Sequence, residues 1–270
     1  MVIFYSDKKQ KLSKAVMRNC QDVPYSSFCK ILRNKDIKVN GQRVKEDVYI
    51  NENDSVEIFY TPVKRDKFSE IFRDDNILVI NKKSGYSSES VYEEIVDKYK
   101  DAKFIHRLDR NTSGIMIFAL NIVAEKELLN GFKERSFEKY YIATVKGILN
   151  PKEAVLTAYL LKDEKDGVVR IFSEDIKGSV KIKTGYKVLT EGENFSVLRI
   201  RLYTGKTHQI RAHLSFIGHP IVGDGKYGDN AFNKQMGAKT QKLCATELVL
   251  HFDGNSPLSY LDGKRFLIDG

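Results

Sequence analysis

The spacing of apolar and polar residues divides the chain into short elements. In "YSSFCKILRNKD", Phe28, Ile31 and Leu32 recur at helical spacing behind Ser26 or Ser27, which predicts a helix capped by one of these serines. "KKQKLSKAVMRNC" before it reads as another short helix. "DIKVNGQRV" alternates apolar and basic residues around Asn40-Gly41, a strong hairpin signal, and "SVEIFY" follows as a strand. Beyond the polar "TPVKRDKFSE", the segment "NILVINKKSG" reads as an apolar strand turning at Gly85, and "SVYEEIVDKY" as an amphipathic helix. "GIMIFAL" is a strand without polar positions. "NIVAEKELLNGFKER" is a helix capped at Asn121, with Ala124, Leu128 and Phe132 in one row. "SFEKYYIATVKG" alternates, with Phe137, Lys139, Tyr141, Ala143 and Val145 on one face, and "VKIKTGYKVLT" and "FSVLRIRLY" flank "EGEN" as a long hairpin. In "LYTGKTHQIRAHLSFIGHP", Gly205 permits a turn, Thr207 is the expected N-cap, and Ile210, Leu214 and Ile217 form a buried stripe. Gly218 and Pro220 then stop the helix, and His208, Arg211 and Ser215 occupy its other face. Strands dominate, with helices laid against them. The predicted class is α+β with a mostly antiparallel sheet, divided into a small domain at 1–62 and a larger one at 63–270.

Charge adds a partner class. The formal net charge of +9 points to a polyanion, because clustered Lys and Arg release counterions from phosphates, although solubility alone is the blander explanation. Cys20, Cys29 and Cys244 lie far apart and form no CxxC pair, so neither a disulfide framework nor a zinc site is expected, and a reducing cytoplasm fits best. No apolar run approaches the ~18 residues needed to span a membrane. His208 and His213 are five apart and fall on different helix faces, so no metal site is predicted. A monomer is the default expectation.

Two stretches could carry chemistry. "HRLDRNTSG" sets Asp109 between two arginines and runs into a polar turn; by itself this is what a turn-forming Asp looks like. Arg211, near a helix start and close to Lys206, suits a phosphate or a carboxylate, and a solvated basic face is an equal reading.

Taken together and in order, "HRLDRNTSGIMIFAL", "FEKYYIATVKG", "TGKTHQIRAHLSFIGHPIVGD" and "LCATEL" resemble the RluA-type family of pseudouridine synthases, over most of residues 72 to 252. "YSSFCKILRNKDIKVNGQRV" with "NENDSVEIF" resembles the S4 RNA-binding domain, with "KLSKAV" departing from its usual opening. The resemblance implies an RNA-modifying isomerase in which Asp109 is the catalytic residue, Tyr141 stacks on the target uracil, Arg211 pairs with the aspartate and Leu243 packs against the site. It implies RNA contacts at Lys206 and His208, and at Lys30, Arg33, Lys35 and Lys38 of the S4-like stretch. Arg107 is the candidate to stand beside an extruded base, with a structural salt bridge as its alternative. His106 either contacts the RNA backbone or caps the loop.

The chemistry is consistent with these roles. One carboxylate can attack an anomeric carbon or stabilise its cation without a cofactor. Hydrolytic glycosidases use a second acid to activate water, whereas here the released uracil returns through C5 and water must be kept out. The uridine must first leave its stack, and an aromatic platform contributes roughly 1 to 3 kcal/mol per stacked base. Three positions depart from the family pattern: Lys83 stands where proline is usual, Lys206 where arginine is commoner, and Cys244 where histidine is frequent, so Cys244 receives no proton-transfer role. Structured RNA is the expected partner, with large-subunit ribosomal RNA ahead of transfer RNA. A catalytically silent assembly factor and a nucleic-acid glycosidase or nuclease are the other classes weighed; the latter lacks a paired acid or metal cluster.

Overall fold

The computed structural model describes residues 1–20, 23, 25–60, 66–163 and 167–269. The chain forms two compact units, Met1–Asp66 and Lys67–Gly270.

In the first unit, Val2–Tyr5, Ser55–Ile58, Ile37–Val39 and Gln42–Arg43 form a sheet in that spatial order. The helices Leu12–Asn19 and Tyr25–Arg33 contribute Leu12, Val16, Phe28 and Leu32 to a core shared with Ile37, Val56 and Ile58. Two expectations shift here. Residues 10–11 pair as a short strand with Tyr49–Ile50, so the first helix starts at Leu12, where Asp47 accepts from the Ser13 backbone N–H at 2.8 Å. The second helix begins at Tyr25, so Ser26 and Ser27 lie inside its first turn rather than capping it. At the hairpin, Asn40 and Gly41 take φ 49° and 78°, the pair of left-handed residues that a tight two-residue turn requires.

In the second unit the main sheet runs in the spatial order Val168–Phe172, Glu153–Asp163, Val180–Glu191, Phe195–Leu202, Glu138–Lys146, Leu243–Val249, Ser113–Ala119, Ile77–Lys82 and Phe68–Arg73. Every pairing along it is antiparallel except one: Ser113–Ala119 and Leu243–Val249 run parallel, with Ser113 opposite Cys244. Glu153–Asp163 and Val168–Phe172 had no sequence-based assignment. Burial alternates along 153–160, but the outward positions include Val155 and Tyr159, so the sequence shows little period-two contrast.

"GIMIFAL" lacks polar positions because both of its faces are covered. Met116 and Phe118 join one core with Val91 and Ile95 of the helix Ser88–Lys98 and with Ile210 and Leu214 of the helix Gln209–Phe216. Ile115, Ile117 and Ala119 join the other, with Ala124 and Leu128 of the helix Ile122–Glu134. The Asn121 side chain caps that last helix, accepting from the Ala124 N–H at 2.9 Å.

Candidate active site

The Asp109 loop stands just before the central strand Ser113–Ala119 and is pinned from several sides. The Thr112 N–H donates to the Asp109 carbonyl at 3.1 Å, closing the turn. Ser88 Oγ accepts from the Leu108 N–H at 3.0 Å and donates to the Leu108 carbonyl at 2.8 Å. Gly114 has φ +119°, and a Cβ there would lie 2.2 Å from the Ala245 carbonyl oxygen, so only glycine permits the parallel approach of Leu243–Val249.

Lys82, fully buried, ties this loop to the preceding one. Its Nζ donates to the carbonyls of Lys83, Tyr86 and Arg110 at 3.1, 2.9 and 3.1 Å, one for each ammonium N–H. Burial, partly offset by the Asp109 carboxylate, pushes its pKa down to about 8, which leaves it charged at neutral pH. Lys83 has its own use: its backbone N–H donates to the Lys67 carbonyl at 2.8 Å, a bond that the usual proline could not make.

Arg211 reaches Asp109 from the helix Gln209–Phe216. Its Nη1 lies 2.8 Å from Asp109 Oδ2, while Nε and Nη2 grip Asp224 Oδ2 and Oδ1 at 2.7 and 2.9 Å. Asp224 is fully buried, and its Oδ1 also accepts from the N–H groups of Lys226 and Tyr227 at 2.8 and 3.1 Å. Burial by itself would lower the Arg211 pKa, but its bonds to Asp224 and Asp109 outweigh that and raise it. Burial would likewise raise Asp224, but Arg211 and the two amides hold it below the ordinary carboxylate value.

Of the two partners that Arg211 suits, phosphate or carboxylate, the fold supplies carboxylates, at both ends of the guanidinium. Thr207 is not the expected N-cap. That position belongs to His208 at φ 54°, and the Gln209 side chain ties the turn instead, accepting from Thr204 Oγ1 at 2.8 Å and the Lys206 N–H at 3.1 Å. The expected polar face is largely covered: Arg211 is buried and His208 and Ser215 are half-buried, while Gln209 and His213 beside them are buried too. Burial pushes the His213 pKa down to about 4, and its Nδ1 lies 3.0 Å from Thr184 Oγ1.

Asp109 and Arg211 line a cavity of about 520 Å³ together with Tyr141 and Leu243. The sheet register brings those two side chains together. Tyr141 sits opposite Ala245 and Ala143 opposite Leu243, so Tyr141 and Leu243 share one face on adjacent strands. The Tyr141 phenol has its pKa raised by burial and then by the Asp109 carboxylate, so it stays neutral and offers a ring rather than a base.

The sequence profile of the family described as RNA pseudouridylate synthase matches residues 76–216, more than half of the chain. The chain belongs to that family. It is 32% identical to "Ribosomal large subunit pseudouridine synthase C" of Pasteurella multocida, over 93% of this chain and 83% of the relative. It is 30% identical to an uncharacterized RNA pseudouridine synthase of Mycoplasma capricolum, over 97% of this chain and 95% of that one. Among solved structures, human RNA Pseudouridylate Synthase Domain Containing 1 matches with a TM-score of 0.61 at 25% identity, covering 78% of this chain and 94% of that one.

The remaining site candidates of this pseudouridylate synthase family member fall into distinct surroundings. Arg107 is exposed at the cavity wall, with Nη1 3.2 Å from Glu89. Lys206 stands at the same wall, exposed, with Lys133, Arg135 and Lys139, which sequence reasoning did not single out as RNA contacts. Lys133, Arg135 and Lys139 fall within seven residues, but Glu134 and Glu138 are interleaved with them, so the stretch carries little net charge to mark it. His106 is a pin of the loop. Its Nε2 accepts from the Ile117 N–H at 3.1 Å and its ring stacks on Phe132 at 4.6 Å. Burial, then Lys139, pushes its pKa down to about 3, so it is not a cationic contact for RNA phosphate.

His208 lies between Tyr227 and Asp109: Nδ1 is 2.9 Å from the Tyr227 hydroxyl, and Nε2 is 3.9 Å from Asp109 Oδ1. Its pKa is lowered by burial, against the opposing pull of Asp109. In the first unit, Lys30, Arg33 and Lys35 are exposed, whereas Lys38 is half-buried, 3.7 Å from Glu57 and 5.2 Å from the Phe59 ring centre. A second basic group there, Lys8, Lys9, Lys11, Lys14 and Arg18, gathers around Tyr49.

Proposed function

We propose that this pseudouridine synthase isomerises uridine in large-subunit ribosomal RNA, with Asp109 as the reacting carboxylate. The observation that carries the reading is the line Asp109–Arg211–Asp224. One carboxylate oxygen is spent on a guanidinium that is itself anchored in the core, which leaves Oδ1 free beside a cavity faced by Tyr141 and Leu243.

The uridine, extruded from its stack, lays its base against Tyr141, and Leu243 closes the apolar side. Asp109 approaches the anomeric carbon on the face opposite the base. The C1′–N1 bond breaks with its electrons going to the uracil, the base turns and C5 bonds to C1′, and the proton lost from C5 is matched by one taken up at N1. Arg211 keeps the carboxylate in place, and the cations at the wall take neighbouring phosphates. The ribosomal target is supported by the names of the relatives. The first unit is read as an S4-like module that docks on structured RNA through Lys30, Arg33 and Lys35. The intact trio Asp109, Arg211 and Tyr141 favours an active enzyme over a silent assembly factor.

RNA labelled with tritium at uracil C5 should release tritium with the wild-type protein. Asp109→Asn should slow release by roughly four to six orders of magnitude, the range over which loss of one member of a catalytic group falls, while RNA binding persists. Equal release by both would remove Asp109 from the reaction.

A further inference from the structure

The proton positions around His208 carry a step beyond this, resting on Asp109 as the reacting carboxylate. We infer that His208 Nε2–H and Asp109 Oδ1 together recognise the 2′-hydroxyl of the target ribose, and so make the enzyme selective for ribonucleotide over deoxyribonucleotide at that position.

The direction of each hydrogen bond follows from its donor. The Val169 backbone N–H can only donate, and the Tyr227 oxygen accepts it at 2.8 Å. The tyrosine proton is then free for His208 Nδ1, 2.9 Å away, an arrangement that puts the lone pair at Nδ1 and the N–H at Nε2 and uses the phenol as both acceptor and donor. The opposite end of the ring agrees. Nε2 faces the Asp109 carboxylate, which would repel a lone pair and favours an N–H. The ring is also T-shaped against Tyr227 at 5.5 Å, so its plane is held.

The gap of 3.9 Å from Nε2 to Oδ1 is too long for a direct hydrogen bond, and both residues line the same cavity. A single oxygen fits between them at ordinary hydrogen-bond distance from each. That oxygen must accept from an N–H and donate to a carboxylate. A uracil carbonyl or a phosphate oxygen only accepts, so neither satisfies both sides. A hydroxyl does. Within an RNA chain the 3′ oxygen is esterified, which leaves the 2′-hydroxyl as the sugar's proton-bearing oxygen. It also lies on the sugar face opposite the base, the face from which Asp109 must approach the adjacent anomeric carbon. Arg211 does not compete for Oδ1, because it holds Oδ2.

The test uses the full-length protein and an RNA on which the wild type releases tritium, synthesised with either uridine or 2′-deoxyuridine, each tritiated at C5, at the mapped target. The readout is the ratio of kcat/KM for the two. His208→Asn tolerates the left-handed backbone at φ 54° but is too short to bridge the gap, and His208→Gln returns an amide N–H at longer reach. The wild type should prefer ribose. His208→Asn should shrink that preference roughly ten-fold, the equivalent of one hydrogen bond, and His208→Gln should restore much of it. Tyr227→Phe, which keeps the imidazole but frees its proton, should lower the ratio as well. A ratio unchanged in His208→Asn, with wild-type turnover of the ribose substrate intact, overturns the inference alone. Failure to find any RNA on which the wild type releases tritium removes it together with the function on which it rests.

Discussion

Replacing Asp224 by asparagine keeps the shape of the side chain and removes one of the two negative charges that flank the buried Arg211. The amide oxygen would be claimed by the donors now gathered at Oδ1, namely Arg211 Nη2 and the N–H groups of Lys226 and Tyr227. The amide NH2 would then face Arg211 Nε, donor against donor, at the position where Oδ2 lies 2.7 Å away. Removing one partner of a buried ion pair costs ~3–5 kcal/mol, against a total stability of ~5–15 kcal/mol for an ordinary domain. For a unit of this size that corresponds to a fall in Tm of ~6–20 °C. Activity should fall too, because the arginine that positions Asp109 loses its own anchor.

The pH dependence has a definite sign. The folded-state pKa of Asp224 lies below its unfolded value, so its stabilisation is complete above the ordinary carboxylate range and is lost as pH falls through the folded value. Urea unfolding of the wild type and Asp224→Asn at pH 7 and in acid reads this directly: the gap should be large at pH 7 and should narrow in acid. A gap below ~1 kcal/mol at pH 7, the size of one ordinary hydrogen bond, or a gap that widens in acid, would refute the idea that Arg211 needs two carboxylates.

Gly114→Ala should destabilise by more than ~3 kcal/mol in the same unfolding assay, because its Cβ would meet the Ala245 carbonyl oxygen at 2.2 Å from a left-handed backbone. Lys83→Pro, although it restores the commoner residue, should cost ~1 kcal/mol through the lost bond from the Lys83 N–H to the Lys67 carbonyl; a gain in Tm would contradict this. For His106 the folded pKa of about 3 lies below the ordinary 6.5, so the unfolded chain takes up the proton first and stability falls as pH drops between those values. His106→Gln, which keeps a non-titrating acceptor for the Ile117 N–H, should flatten the stability curve over that range.

Local pattern was sufficient for most elements, although it misplaced the caps at Ser26 or Ser27 and at Thr207. The apolar run at 114–120, the Asn121 cap, the Asn40-Gly41 hairpin and the alternation that turns Tyr141, Ala143 and Val145 to one face are all set within a few residues, and all are seen in the fold. The motif resemblance brought forward Asp109, Arg211, Tyr141 and Leu243, which the fold gathers around one cavity. What the chain's order could not reveal is which charge each buried group meets. Asp224, thirteen positions after Arg211, becomes its main counterion only because the chain folds back after the helix, and the carbonyls that hold Lys82 come partly from a loop 28 residues away. The same distance in sequence hides the neighbours of His106 and His208. A helix pattern implies a polar face toward water, and here Gln209 and His213 lie against Thr184 of the sheet while loop carboxylates hold Arg211, so burial decided that His213 is neutral, as packing on Phe132 did for His106 in its loop. Sequence fixes which chemical groups are present, whereas protonation and partnership are set by the local dielectric and by groups brought near through folding, which exist only in three dimensions.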